Sequence, residues 1–136
     1  MSNLEIIFLQ IYWQSIFNFF PNYRKRKFFV DYHDIYDLVL EDEKWKKIGE
    51  ASDQNVLTDA QTLANEGLPV IAINTSDEHK FSVLVTKGET QQSRSWNLKT
   101  PNTAAFFPVS NPKSYTNKPL SYSWSSPKGI ILYVRK

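Results

Sequence analysis

Between residues 52 and 73 the apolar positions change their period. Val56, Ala60, Leu63 and Ala64 recur at helical spacing and form one apolar stripe. Ser52 or Asp53 stands where a short polar side chain caps the first free amides, and Gly67 supplies the left-handed position at which helices end. The pattern predicts a helix over this stretch, with Thr58 and Gln61 as an inner capping box. After Pro69, Val70-Ile71-Ala72-Ile73 is a β-favouring run too short for a helix, and it predicts a buried strand.

Upstream, Ile35, Leu38, Val39 and Trp45 fall at near-helical spacing between Tyr32 and Ile48. Asp31 and Asp34 stand early and Lys44, Lys46 and Lys47 late, an order that suits the helix dipole. The spacing predicts a helix that Gly49 stops. Downstream, Phe81, Val83 and Val85 alternate with Ser82, Leu84 and Thr86, and Lys87-Gly88-Glu89 reads as a turn into a second strand through Arg94 to Leu98. This predicts a hairpin. From Pro101 to Pro127 proline, asparagine and serine dominate around a short apolar piece at Ala104 to Phe107, which predicts ordered irregular structure over the core. Ile130 to Val134, after Gly129, is a final strand. Helices followed by strands predict an α+β fold, with an antiparallel sheet of about five strands and N-terminal helices packed on one side.

Composition refines the outline. Of 136 residues, 41% are apolar and 22% charged, which is material for one core and too little charge for a disordered chain. Aromatic residues crowd the first 29 positions, from Phe8 through Trp13 to Phe29, and Arg24-Lys25-Arg26-Lys27 follows the apolar stretch from Ile6 to Phe20. Residues 1–30 therefore read as a separate aromatic segment with a basic cluster, and residues 31–136 as a single α+β domain. Glu5 replaces the basic start of a secretory signal, and Gln10, Gln14, Ser15 and Asn18 interrupt any membrane span, so a cytoplasmic location is the default expectation. Membrane contact through residues 6–27 is the alternative use of that segment. A formal charge of +2 does not point to nucleic acid.

The absence of cysteine removes disulfides, thiolate metal sites and thiol nucleophiles together. His33 with Asp31, Asp34 and Asp37 is the only local group with metal-binding chemistry, and without a second histidine it reads as a solvated helix start. No metal or other cofactor is expected. Ser82 or Ser95 with His79 lacks any nucleophile-elbow motif, so both serines read as polar strand positions. Trp96, Tyr122 and Trp124 are candidates for stacking on a sugar or peptide, whereas Phe106 and Phe107 read as core.

Two runs carry a family resemblance. Trp45-Lys46-Lys47-Ile48-Gly49-Glu50-Ala51-Ser52-Asp53-Gln54 precedes Ala60-Gln61-Thr62-Leu63-Ala64-Asn65-Glu66-Gly67-Leu68-Pro69-Val70-Ile71-Ala72. Ser93-Arg94-Ser95-Trp96, Pro101 to Phe107, Ser114-Tyr115 and Leu120-Ser121-Tyr122 then follow in order. Over about residues 44–136 the series resembles the papain-like cell-wall amidases and endopeptidases of the NlpC/P60 and CHAP kind. The resemblance implies a cysteine nucleophile at the start of a helix before the tryptophan run, and a histidine base opening the first strand of a hairpin, because only a thiolate beside an imidazole is nucleophilic enough.

In this chain the helix that would carry the thiol opens with Asp31-Tyr32-His33-Asp34, and no serine or threonine lies between Ser15 and Ser52. The histidine position falls on Phe81, while His79 sits two residues earlier, about 7 Å along a strand. Ser95 or Asn97 on the following strand, or Asn102 in the loop, would orient the imidazole. The resemblance thus implies an inactive relative of a bacterial peptidoglycan amidase, retaining binding of a cell-wall peptide or a protein partner. A residual hydrolase with a non-cysteine nucleophile and an interaction or membrane-surface protein are the alternatives.

Overall fold

The computed structural model describes residues 35–76, 81–105 and 115–136. In chain order these form α1 (Ile35–Glu41), β1 (Trp45–Glu50), α2 (Gln54–Asn65), β2 (Val70–Asn74), β3 (Ser82–Val85), β4 (Gln91–Ser93), β5 (Leu98–Thr100), β6 (Asn102–Ala105), β7 (Tyr115–Pro119), a 3-10 turn (Leu120–Tyr122) and β8 (Ile130–Arg135). Six strands make one sheet in the order β1-β8-β2-β3-β6-β7, and every neighbouring pair is antiparallel. The remaining two, β4 and β5, pair as a separate hairpin. The fold is α+β, and the last strand of the chain sits between β1 and β2.

Opposed residues of an antiparallel pair share a face. Val70 is opposite both Val134 and Val85, and Ala72 is opposite Leu132 and Val83. All six belong to one buried cluster with Val56, Leu57, Ala60 and Ala64 of α2. The intervening residues Ile71, Ile73 and Tyr133 point to the other face and are also buried. There Tyr133 is hydrogen-bonded to Tyr36 of α1, whose Val39 is buried. Fully burying a side chain such as Leu57, Ile73 or Leu132 contributes about 1.5–3 kcal/mol, so the two-sided sheet is the main store of stability.

The ends of α2 follow from local chemistry. Asp53 in extended backbone accepts a hydrogen bond from the Asn55 amide at 2.9 Å. At the other end Gly67 takes φ 91, its amide reaching the Ala64 carbonyl and the Leu68 amide the Leu63 carbonyl, which is the Schellman closure. The capping box expected from Thr58 and Gln61 does not form. Thr58 Oγ1 accepts instead from the side-chain Nε2 of Gln54, and Gln61 is buried and turned toward β6.

Four expectations are corrected. The helix read from Tyr32 to Ile48 ends at Glu41. Asp42 accepts the Lys44 amide on its carboxylate and the Trp45 amide on its carbonyl, a turn that competes with helix continuation, and Trp45–Glu50 then becomes an edge strand on β8. Gly49 is not a helix stop but lies beside a bulge in β1, where a Cβ would come within 2.6 Å of Val56 Cγ2.

The predicted hairpin between residues 81 and 98 is also absent. Instead β3 pairs with β2 and β6, and Arg94 to Asn97 is the turn between β4 and β5. Ser93 Oγ accepts the Trp96 amide there at 3.2 Å, and Asn97 adopts φ 55, local turn chemistry that the alternation of polar and apolar residues does not encode.

Residues 101–127, expected to be irregular, hold β6, β7 and the 3-10 turn, which brings the main sheet to six strands rather than five. Asn102 and Thr103 are buried although polar, so the hydrophobic pattern conceals this strand. Finally, the longer helix is not N-terminal. It lies between β1 and β2, and the two α-helices of the described residues lie on opposite faces of the sheet rather than together on one, because two buried faces each need a cover. Residues 1–30, His33, Phe106 and Phe107 lie outside the described residues.

Candidate functional site

At the edge opposite β1, the sequence from β7 into the 3-10 turn folds Tyr122 back over Tyr115. The two rings meet edge to face, with centroids 4.9 Å apart and planes at 79°. Lys118, exposed on β7, places its Nζ 5.6 Å from the centre of the Tyr122 ring, within the range of a cation–π contact. Tyr122 is 53% exposed, one of two large apolar residues that stand out among the described residues.

Beneath it Tyr115 is fixed by its hydroxyl, which lies 3.1 Å from Thr103 Oγ1 and in a short contact with Ser123 Oγ. Thr103 donates to the Lys118 carbonyl at 2.7 Å, so in this chain of three hydroxyls Tyr115 donates to Thr103 and accepts from Ser123. Burial raises the Tyr115 phenol above its ordinary 10.0, the bonds to Ser123 and Thr103 oppose that rise, and Tyr122 adds to it. The phenol remains a neutral donor at physiological pH. This arrangement presents a rigid aromatic face, a neighbouring ammonium and hydroxyls, suited to a ligand with an apolar or sugar face and a carboxylate.

The structure separates the residues expected to act together. Ser95 and Asn97 are exposed on the turn between β4 and β5 rather than on a strand, and Ser95 Oγ lies 3.2 Å from Ser93 Oγ. Asn102 lies on β6 and is buried. Its side-chain amide donates to Thr86 Oγ1 at 2.9 Å, the Lys87 carbonyl at 3.0 Å and Asn117 Oδ1 at 3.2 Å, and its backbone amide donates to Gln61 Oε1 at 2.7 Å. These partners share none with Ser95. His79 lies outside the described residues, and Phe81, onto which the sequence resemblance would place the histidine, is half-buried just before β3.

Among the aromatic candidates, Trp96 is 6% exposed and belongs to the core cluster, against which the half-buried Trp124 packs. Only Tyr122 offers an open ring. Comparison with protein-family models, with curated proteins and with solved structures finds no match. Lys118, Ser123 and Thr103 are the contributors that sequence reasoning missed, since residues 103, 115, 118, 122 and 123 share no period and meet only through the pairing of β6 with β7. Among the described residues no group of three histidine, aspartate or glutamate side chains could hold a metal ion, and no helix is long and apolar enough to cross a membrane.

Proposed function

We propose that this chain is a papain-like domain of the cell-wall amidase kind that binds without cleaving, taking a peptidoglycan stem peptide or a peptide segment of a protein partner on the surface around Tyr122. The observation that carries the reading is the Tyr122 ring, exposed yet pinned edge to face on the buried Tyr115 with the Lys118 ammonium above it. A preordered aromatic face loses little entropy on stacking, and the ammonium offers a partner to the carboxylates of a stem peptide. The ordered series of family-like runs from Trp45 to Tyr122 supports the ancestry, and the missing thiol supports the loss of cleavage.

Co-sedimentation of the protein with purified peptidoglycan sacculi tests this. Binding should saturate, weaken about tenfold in Tyr122→Ala through loss of the stacked ring and its cation contact, and release no new amino groups from the sacculi. Absence of binding to sacculi and to peptide libraries alike, or cleavage that depends on His79, would overturn the reading.

A further inference from the structure

At the other end of the sheet a depression of about 360 Å³ opens between α2 and the edge strand β1. This volume lies at the small end of the range for ligand sites. Ile48, Leu63 and Val134 supply its apolar wall, and the side chains of Lys46, Lys136 and Asp59 its charged rim, whereas Lys47 borders it from a strand position opposite Tyr133, a pair whose side chains belong to the other face. Two lysines against one aspartate leave these side chains with an excess of one positive charge. None of these three side chains is ion-paired with another among the described residues.

Lysines on an edge strand commonly serve only to prevent pairing with other chains. That role does not account for the whole arrangement. Lys136 follows β8 rather than lying on the edge strand, and Lys46 is opposite Val134, which places it on the α2 side of the sheet above the apolar wall. An uncommitted cationic rim over an apolar recess matches a ligand with one anionic head and an aliphatic body. Asp59 on the same rim opposes a second negative charge, which disfavours phosphates and dicarboxylates.

We propose that this recess binds an aliphatic monocarboxylate, its carboxylate held by Lys46 and Lys136 and its apolar part laid against Leu63 and Val134. Two sources share that chemistry, the C-terminus of a peptide ending in an apolar residue and a free short-chain fatty acid. The site is separate from the Tyr122 surface and does not depend on the reading given for it.

Amide chemical shifts of the isotope-labelled full chain, followed during titration with octanoate, N-acetylleucine and N-acetylleucinamide, test the proposal. Saturable shifts at Lys46, Leu63 and Val134 are expected with at least one carboxylate and not with the neutral amide. Binding of N-acetylleucine would identify peptide ends as the source, and binding of octanoate alone would identify free acids. A Lys46→Gln/Lys136→Gln variant should bind at least tenfold more weakly with an unchanged melting transition. Should that variant fold poorly, Lys136→Gln alone, next to the end of β8, should weaken binding at least threefold. The proposal is overturned if neither carboxylate produces saturable shifts, if the neutral amide produces the same ones, or if the folded variants bind as the parent does.

Discussion

Trp96 donates its indole N–H to the backbone carbonyl of Trp124 at 2.9 Å, across 28 residues of sequence. This one bond ties the tip of the β4–β5 hairpin, which shares no strand pairing with the main sheet, to the segment that leads into β8, the strand between β1 and β2. It also accounts for a tryptophan buried within a turn.

Replacing Trp96 with phenylalanine keeps an aromatic ring in the core but leaves the Trp124 carbonyl without this donor. A loss of about 1–3 kcal/mol is expected, from the missing bond and the smaller ring together. Urea unfolding measured by circular dichroism checks the value. A change within a few tenths of a kcal/mol would mean that the hairpin does not contribute to global stability.

Asn102→Asp removes two N–H donors that serve Thr86, Lys87 and Asn117, and sets a carboxylate among their acceptor oxygens. The expected destabilisation is about 2–3 kcal/mol near neutral pH. It should lessen as pH falls, since a protonated carboxyl regains one donor and loses the repelled charge. Denaturant melts at pH 7 and pH 4, each referenced to the parent protein, read both the size and the sign.

Thr100 is completely buried and its hydroxyl has no hydrogen-bond partner. The isosteric Thr100→Val should therefore stabilise the protein by about 1 kcal/mol, because a desolvated hydroxyl is exchanged for a methyl group. A fall in the denaturation midpoint would show that the hydroxyl is satisfied in solution.

Tyr115 and Tyr133 both have folded-state pKa values raised above 10.0, in each case chiefly by burial. A raised folded pKa means that the native state holds the proton more tightly than the unfolded chain. The associated stability is whole below pH 10 and is lost as pH climbs from 10 through the folded values. Stability should thus fall on the alkaline side of pH 10, and Tyr115→Phe should flatten that fall. The same variant should cost about 1 kcal/mol at pH 7 through the broken hydroxyl chain to Thr103 and Ser123. A parallel alkaline slope in parent and variant would remove Tyr115 from the account.

Where stabilising interactions were local, the chain could be read directly. The second helix has its cap at Asp53, its stripe from Val56 to Ala64 and its glycine closure at Gly67 within fifteen residues, and β2 and β8 are apolar runs long enough to stand out. The α+β class followed from these elements. Legibility failed where a partner distant in sequence decided the outcome. Trp45 to Glu50 has helical spacing, yet pairing with β8, more than eighty residues later, makes it a strand, and Asn102 and Thr103 carry no apolar signal because their burial is repaid by hydrogen bonds to Gln61, Thr86 and Lys118.

The candidate surface was legible only as a list of types. Tyr122 was visible as an aromatic among serines and prolines, but whether its ring faced solvent or core depended on the 3-10 turn that folds it over Tyr115. Sequence alone determined the elements whose caps and periods lie within a few residues, and it determined that no thiol is available for catalysis. Tertiary structure decided which backbone groups pair, which polar side chains are buried and which aromatic is left open, because each depends on a partner brought near only when the chain closes on β8.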